Sequence, residues 1–266
     1  MDMKKLTLLG LAGLFLAACT QSNSSTKENS LPTSISWIED KPGPTMQDRN
    51  LFPAVPDSLW EALGLQDGIP SAMGCFLLEA DGHKILIDAG LGAPFSQLMP
   101  KLEEAGMSPD DVELIYITHM HPDHIGGMLK GDTLVFPNAD VYINRVEAET
   151  WQQIGHEQAS LQQTVLAAYK DRLHLFEAGD TLQGGVVSMA AYGHTPGHTV
   201  FQKDSILIIA DLMHGAALQT VHPEFCPRYD MDPEAAIDAR IRIMKYAREN
   251  NLTMYGMHIP GGKLED

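Results

Sequence analysis

Residues 118–127 read THMHPDHIGG and place four potential metal ligands within six residues. The preceding residues, 112–117, alternate like a β-strand that runs into a loop. In an extended backbone the side chains at positions i and i+2 project to the same side, so His119 and His121 can bind one cation together. Imidazole and carboxylate groups together suit zinc and neighbouring transition metals. The stretch therefore predicts a metal site at the end of a strand.

The second half of the same stretch changes direction. Pro122 breaks the extended run, so Asp123 and His124 point away from the two preceding histidines. Gly126 and Gly127 allow the following backbone to approach its neighbours closely, because neither residue carries a Cβ atom. A tight loop with ligands on more than one side is therefore expected directly after the strand.

Further candidate ligands follow other apolar, strand-like runs. Loops at strand ends are where a rigid scaffold presents functional groups. A single acid or histidine there is more often a cap or turn residue, but several in order predict that they join the first cluster. The candidates are Asp88 after 84–87, His194 and His198 after 186–192, Asp211 and His214 after 205–210, and His258 after 252–257.

In this order, over residues 71–262, the motifs resemble those of the metallo-β-lactamase-fold hydrolases. The resemblance implies an α/β fold, a four-layer αββα sandwich, with two metal ions per chain. Asp88 would orient a ligand histidine by accepting its other N–H group. By the same resemblance His119, His121 and His194 hold one metal, Asp123, His124 and His258 hold the other, and Asp211 bridges both.

One ligand position is ambiguous from the residues alone, since Gly-His-Thr-Pro-Gly-His at 193–198 offers two histidines. Family members with this doubled motif use the first histidine. The resemblance therefore implies that His194 is the ligand and that His198 supports the site without binding metal.

The predicted ligand set indicates hydrolytic chemistry. Two cations held about 3.5–4 Å apart by a shared carboxylate can bind a hydroxide that attacks a carbonyl or phosphorus centre. Zinc is the expected metal, with manganese, iron and cobalt as alternatives. The sequence contains no G-x-S-x-G, no Walker-type phosphate loop and no G-x-G-x-x-G. We therefore predict a metal-dependent hydrolase in which Asp123 and His214 are the catalytic residues.

Departures from other branches of the superfamily narrow the expected substrate. Redox di-iron members of the superfamily carry glutamate at the position of His121, so oxygen chemistry is not expected here. β-Lactamases of this fold carry cysteine or serine at the position of Asp211, so antibiotic hydrolysis is not expected as the main activity. The chain has 18 Lys and Arg against 35 Asp and Glu, a formal charge of −17. Such a surface repels nucleic acid over long range, so no nucleic-acid partner is expected.

The segments 211–224 and 228–232 resemble the branch that holds methyl parathion hydrolase and related lactonases. Quorum-quenching lactonases carry a tyrosine at the position of His214. The imidazole could hydrogen-bond the attacked oxygen or assist the leaving group, or it could pack beside the metals without chemistry. A lactone is the first expected substrate, and a phosphotriester or another ester is the alternative. A non-catalytic metal-binding lipoprotein is the less favoured reading.

The N-terminal residues predict a location. Lys4 and Lys5 precede an apolar stretch at 6–18, which is too short for a membrane-spanning helix of about 20 residues and typical of a signal peptide. It ends in Leu-Ala-Ala-Cys, which resembles a bacterial lipoprotein signal with Cys19 as the lipidated residue. A signal peptide cleaved elsewhere is the alternative. We expect a signal peptide at 1–18, a flexible tether at 19–34 and the hydrolase domain at 35–266.

On this interpretation the protein is lipid-anchored in the bacterial cell envelope, at the outer membrane and facing the periplasm. Thr20 is not the aspartate that would favour retention in the inner membrane. The two other cysteines, Cys75 and Cys226, are too few for a disulfide framework, and no pairing between them is predicted.

Hydrophobic spacing predicts alternating strands and helices. Pro233 marks a helix start, and Ala236, Ile237, Ile241 and Met244 are spaced for burial on that helix. Three aromatic residues, Trp151, Phe225 and Tyr229, are candidates for a substrate pocket. Strands are expected near 74–79, 84–88, 114–118, 140–144, 174–176, 186–191, 199–203, 206–210 and 253–257, and helices near 96–105, 157–170 and 233–250.

The location can be tested with one substitution. Expressed with its own N-terminus in a Gram-negative host, the wild-type chain should partition with membranes and incorporate labelled fatty acid, because several acyl chains anchor a protein firmly. Cys19→Ser should abolish labelling and membrane partitioning, whereas Cys75→Ser should leave both unchanged. A wild-type chain recovered wholly in the soluble periplasmic fraction would contradict the prediction.

Overall fold

The fold comprises two β-sheets packed face to face with helices on their outer surfaces. It is taken from a computed structural model that describes residues 32–265. The predicted signal peptide, and the predicted tether up to residue 31, lie outside the described residues. Ser34, the last residue of the predicted tether, is the first residue of a strand.

The described chain contains fifteen strands. In chain order they are β1 (Ser34–Glu39), β2 (Thr45–Gln47), β3 (Ile69–Ser71), β4 (Gly74–Ala80), β5 (His83–Ile87), β6 (Leu114–Ile117), β7 (Leu129–Lys130), β8 (Thr133–Leu134), β9 (Asp140–Asn144), β10 (Leu173–Phe176), β11 (Thr181–Leu182), β12 (Val186–Ala190), β13 (Thr199–Lys203), β14 (Ile206–Ile208) and β15 (Thr253–Tyr255).

Seven α-helices and five short 3₁₀ helices connect these strands within residues 32–265. The α-helices are α1 (Asp57–Ala62), α2 (Leu98–Glu104), α3 (Pro122–Ile125), α4 (Arg145–Gln153), α5 (His156–Ala168), α6 (Ala216–Gln219) and α7 (Pro233–Glu249). The 3₁₀ helices are Arg49–Leu51, Pro109–Asp111, Gly126–Met128, Gln183–Gly185 and Ala210–Leu212.

The larger sheet has the order β1-β4-β5-β6-β9-β10, and the smaller sheet has the order β11-β12-β13-β14-β15. The pairs β5–β6 and β14–β15 are parallel, so the carboxyl ends of each pair lie side by side. Two separate ribbons, β2–β3 and β7–β8, complete the strand pairing. This order brings the loops that follow β5, β6, β14 and β15 to one edge of the sandwich.

Alternation along the strands explains the four layers, because successive side chains point to opposite faces of a sheet. Phe76 and Leu78 of β4 pack between the two sheets with Phe201 of β13 and Ile208 of β14. Leu77, between them, faces the other way, into a core built with helices α2, α4 and α5. On the opposite side of the sandwich, the smaller sheet packs against α7. The predicted αββα sandwich is confirmed.

Helix α7 shows both why the sequence pattern works and where it fails. The Asp232 side chain caps its amino terminus by accepting a hydrogen bond from the Ala235 N–H, and Pro233 occupies the first turn. The prediction that Ile241 is buried is wrong, since its side chain is 47% exposed. Ile243 fills the core instead, because two further residues along the helix turn the side chain from solvent towards the smaller sheet.

Two further differences from the expectation concern β14 and α4. The strand predicted at 206–210 ends at Ile208, because the chain turns into the 3₁₀ helix Ala210–Leu212 with Ala210 in the left-handed region. Helix α4 was missed because only Glu147, Ala148 and Trp151 of its residues are buried, which leaves no clear apolar periodicity. No helix among residues 32–265 is long and apolar enough to cross a bilayer.

Candidate metal centre

The loop after β6 presents the first two histidines. Strand β6 ends at Ile117, His121 has extended backbone dihedrals, and Pro122 begins α3. The His119 Nε2 and His121 Nδ1 atoms lie 3.2 Å apart. A Cβ atom at Gly127 would collide with the Ala89 carbonyl oxygen, so glycine is required for this loop to pack against the loop after β5.

The loop after β12 brings a third histidine to the same point. His194 Nε2 lies 3.2 Å from His119 Nε2. Imidazole nitrogens that share one tetrahedral zinc lie about 3.3 Å apart, because each is about 2.0–2.1 Å from the ion. The observed spacing therefore fits one shared cation. The side chains that could hold it are His119, His121, His194 and Asp211.

A second group lies beside the first and shares the Asp211 carboxylate with it. His124 Nε2 is 3.2 Å from Asp211 Oδ1, and His258 Nε2 is 3.1 Å from Asp211 Oδ2. Asp123 Oδ2 approaches the same His258 nitrogen at 3.4 Å. The side chains that could hold a second cation are Asp123, His124, Asp211 and His258.

Most of these imidazoles are oriented through their outer nitrogen. When Nδ1–H donates to a protein acceptor, the tautomer is fixed and the Nε2 lone pair is left for a cation. Four histidines follow this pattern. The acceptors are Thr118 Oγ1 for His119, Asp88 Oδ2 for His124, Asp230 Oδ1 for His194 and the Ala72 carbonyl for His258.

Three buried atoms at the centre have no hydrogen-bond partner among the described residues: His124 Nε2, Asp211 Oδ1 and His214 Nδ1. The first two face each other. A buried polar atom without a partner is costly, and a cation bound between the two would satisfy both. The donor set of imidazoles and carboxylates suits zinc or a neighbouring divalent metal, so the residues fit the predicted ions.

Electrostatics favours the metal-binding forms on one side of the centre. Burial lowers the pKa of His119 well below its usual value, and burial together with the nearby His194 lowers the pKa of His121 to about 3. Burial also disfavours the charged form of His258, but the carboxylates of Asp211 and Asp123 outweigh that effect and raise its pKa to about 10. A metal bound at His258 would therefore displace a proton.

Asp88 supports the second group of candidate ligands by hydrogen bonding to His124. Its backbone lies in the left-handed region with φ of 61°, which few residues other than glycine, asparagine and aspartate adopt. The carboxylate accepts hydrogen bonds from the Thr118 N–H at 2.8 Å, the Thr118 hydroxyl at 2.7 Å and His124 Nδ1 at 2.7 Å. The strained backbone thus places one buried carboxylate between two loops.

The doubled motif separates into two roles in the structure. His194 joins the cluster, whereas both ring nitrogens of His198 are used in hydrogen bonds to the backbone. His198 Nδ1 donates to the Ala191 carbonyl at 2.9 Å, and its Nε2 accepts the Asp211 backbone N–H at 3.2 Å. His198 therefore holds the backbone of the shared aspartate rather than a ligand imidazole.

Asp230 and Arg240 belong to this network, and sequence reasoning missed both. Asp230 Oδ1 accepts the hydrogen bond from His194 Nδ1 at 2.9 Å, and its Oδ2 lies 3.2 Å from Arg240 Nη2. Arg240 is buried, and its guanidinium also donates to the carbonyls of Leu212 and Pro223. The one available signal was an arginine on the apolar face of α7, next to Ala239.

Glu147 is the third residue that the sequence did not reveal. Its buried carboxylate accepts four hydrogen bonds: Oε1 from the Met120 N–H at 2.8 Å and Trp151 Nε1 at 2.7 Å, and Oε2 from the Thr195 hydroxyl and the Gly197 N–H, both at 2.8 Å. Met120 lies between two candidate ligands, and Thr195 follows another. Glu147 therefore ties the loop after β6 to the loop after β12.

The family model of the metallo-beta-lactamase superfamily matches residues 75–247, most of the described chain. The chain belongs to the metallo-β-lactamase superfamily. Its described residues include a cluster of histidine and aspartate side chains able to hold metal.

Curated relatives in this superfamily differ in activity. The chain is 32% identical over 123 residues to exodeoxyribonuclease WalJ of Streptococcus pneumoniae, which is 46% of this chain and 41% of that protein. The chain thus spans about two fifths of the length of the first curated relatives it matches. It is 24% identical over 215 residues to an N-acyl homoserine lactonase of Bacillus thuringiensis, covering 69% of this chain and 80% of the relative.

Solved metallo-β-lactamase-fold structures resemble the whole domain. One of them is AidC, a dizinc quorum-quenching lactonase in complex with a product, an N-acyl-L-homoserine. The two chains superpose with a TM-score of 0.76 at 25% identity, covering 87% of this chain and 92% of AidC.

A cavity of about 430 Å³ opens onto the metallo-β-lactamase-fold centre. Its floor carries Asp123, Asp211, His214 and His258, and Tyr229 lines its side. Of the other predicted pocket aromatics, Trp151 is buried behind the His121 ring, with ring centroids 6.0 Å apart, and Phe225 packs against the core around α1.

Cys75 and Cys226 are both free thiols.

We predict that Glu147→Gln destabilises the protein. An amide nitrogen in place of either oxygen would face two N–H or O–H donors and leave them unsatisfied, at about 1–3 kcal/mol for each buried group. The free energy of unfolding, measured by urea denaturation, should fall by about 3 kcal/mol. Glu149→Gln removes the same charge from the same helix at an exposed position and should change it by less than about 0.5 kcal/mol. Equal stability of the two variants would contradict the role assigned to Glu147.

Proposed function

We propose that this chain is a dinuclear metal-dependent hydrolase that opens a lactone. The observation that carries the proposal is the sharing of one buried carboxylate, Asp211, by two groups of candidate ligands at the floor of a cavity. Single-metal sites need no such shared group. The lactonase names of a curated relative and of a solved structure support the substrate class.

The proposed ligands divide as the family resemblance implies. One ion would be held by His119, His121 and His194, the other by Asp123, His124 and His258, and Asp211 would bind both. Two divalent ions, with zinc the first expectation and manganese, iron or cobalt the alternatives, would supply a nucleophilic water at neutral pH and polarise the carbonyl under attack.

Asp123 is the proposed proton carrier. Its side chain is 20% exposed and lines the cavity, whereas Asp211 is buried. Burial favours its protonated form, but the neighbouring His124 and His258 outweigh this effect and lower its pKa. A carboxylate that touches both the centre and the cavity can accept a proton from the attacking water and deliver it to the ring alkoxide.

His214 lies at the cavity floor between Asp211 and the substrate space. Its Nε2 is 3.2 Å from Asp211 Oδ2, and its ring stacks on His258 with centroids 4.8 Å apart. Burial lowers its pKa to about 4, so the imidazole is neutral at pH 7 and has one N–H to donate. We propose that His214 orients Asp211 and contacts the substrate oxygen, and that proton transfer from it would require release of the N–H from Asp211.

A lactone places modest demands on this cavity. The ring opens without a separate fragment to expel, because the new carboxylate and alcohol stay in one molecule. A volume of about 430 Å³ is within the range of small-molecule sites. A phosphotriester needs room for three substituents and a good leaving group, and it is the alternative ester class for the same centre.

We also propose that the hydrolase is lipid-anchored through Cys19, with the Leu-Ala-Ala-Cys sequence as the support. A nucleic-acid substrate is not part of the proposal, because the formal charge of −17 opposes binding of a polyanion.

The metal content tests the dinuclear site. Protein loaded with zinc should carry about two metals per chain by elemental analysis, and Asp211→Ala should lose both together, because its carboxylate serves both groups. Asp238→Ala, at an exposed position on α7, should retain two. One equivalent or less in the wild type would refute the dinuclear site, and loss of a single metal in Asp211→Ala would show that this residue serves one site.

The substrate class can be tested on the same zinc-loaded preparation. We expect kcat/KM for an acyl-substituted lactone to exceed that for any dialkyl aryl phosphate by at least about tenfold, which corresponds to about 1.4 kcal/mol of transition-state stabilisation. Equal or reversed values would reassign the protein as a phosphotriesterase. Absence of both activities with two metals bound would indicate another ester class or a binding protein.

A further inference from the structure

The outer wall of the cavity comes from a part of the chain that precedes the family match. Seven of the fifteen lining residues lie between residues 41 and 73, whereas the match begins at residue 75. The candidate ligands of the centre all come from residues 119–258. A substituent of the substrate that extends away from the scissile bond would therefore meet side chains particular to this N-terminal segment.

Lys41 is the basic residue of that wall, and its backbone is firmly held. Its N–H donates to the Met73 carbonyl at 3.1 Å, and the Asp40 N–H donates to the same carbonyl at 2.9 Å. The buried Asp40 carboxylate accepts hydrogen bonds from the Leu91 N–H and the Ser96 hydroxyl, both at 2.9 Å. Lys41 thus extends from a fixed base as an exposed residue that lines the cavity.

The ammonium of Lys41 has no carboxylate within 4.0 Å among residues 32–265. The acids of the cavity, Asp123 and Asp211, are turned towards the histidines of the centre. Other polar groups of the wall bond to one another, since the Thr45 hydroxyl donates to the Ser71 carbonyl and Gln47 Nε2 to the Ser71 hydroxyl. In a chain with 35 acids and 18 basic residues, an unpaired lysine at a cavity is available for an anionic ligand.

We propose that Lys41 binds a carboxylate carried by the substrate at a distance from the bond that is cleaved. This inference rests on the proposed function, and it names the substrate class more narrowly. One ammonium matches a group of single negative charge, whereas phosphate sites combine several donors, often from arginine. Met46, Met73 and Leu91 line the same cavity, so an apolar chain that ends in a carboxylate suits both features.

A matched pair of lactones tests the proposal. The two compounds carry the same apolar side chain, which ends in a carboxylate in one and in an uncharged carboxamide in the other. For the zinc-loaded wild type, kcat/KM should favour the carboxylate by about tenfold, and the preference should shrink in high salt, because the pair is partly exposed. Lys41→Met should abolish the preference, and Lys41→Glu should reverse it.

Lys84→Met is the matched control. Lys84 is an exposed lysine at the opposite end of β5 from Asp88, so the substitution removes the same charge without altering the cavity. It should retain the wild-type preference. An identical ratio of kcat/KM values in wild type and Lys41→Met would overturn the proposal.

A binding measurement separates this inference from the proposed reaction. Lactam analogues of the two lactones, which resist opening, are titrated calorimetrically into zinc-loaded wild type and Lys41→Met. Tighter binding of the carboxylate form that depends on Lys41 supports the subsite even if neither lactone is hydrolysed, a result that would refute the lactonase alone. Equal binding of both analogues to both proteins overturns the subsite, whatever the activity.

Discussion

The carboxylate of Glu147 joins the two loops on which the centre depends. It accepts hydrogen bonds from Met120 on one loop and from Thr195 and Gly197 on the other, about 75 residues further along the chain. A buried carboxylate is stable only when its oxygens are satisfied, and here four donors satisfy them. Because His119 and His121 flank Met120 and His194 precedes Thr195, the same interaction sets the separation of three candidate ligands.

Similar buried carboxylates recur around the centre, each one step removed from it. Asp88 connects Thr118 to His124, and Asp230 connects Arg240 to His194. In each case a carboxylate accepts the outer N–H of an imidazole and leaves the inner nitrogen directed at the centre. The fold thus orients imidazoles of both ligand groups through carboxylates that lie outside those two groups. Burial of so many ionisable groups is tolerable because almost every one has a partner.

The two-sheet sandwich and the N-terminal segment contribute different parts of the site. The sandwich of two sheets fixes the loops that follow β5, β6, β12, β14 and β15, and thereby the positions of the candidate ligands. The N-terminal segment, with its ribbon β2–β3 and helix α1, supplies the outer wall of the cavity. The candidate ligands and about half of the residues that line the cavity therefore come from different stretches of the chain.

The sequence predicted the fold class and the candidate ligands through its strand-end motifs and through their resemblance to the metallo-β-lactamase-fold hydrolases. The spacing of His119, His121, Asp123 and His124 follows from short-range geometry, and the order of strand-end acids and histidines places the rest. Alternating apolar residues also located most strands of the two sheets, since the period of a strand is visible within a few residues. Ile241 was misplaced because a helical face shifts with each added residue, so a small error of phase exchanges a buried for an exposed position.

Only the tertiary structure decided the support of the cluster and the shape of the cavity. Glu147, Asp230 and Arg240 lie on helices or loops far along the chain from the histidines they serve, and a hydrogen bond between distant residues leaves no periodic trace in a single sequence. His194 and His198 have the same neighbours in sequence, and the turn between them directs one to the centre and the other to the Asp211 backbone. Lys41 meets the cavity because β1 ends there, a juxtaposition that depends on how the sheets pack.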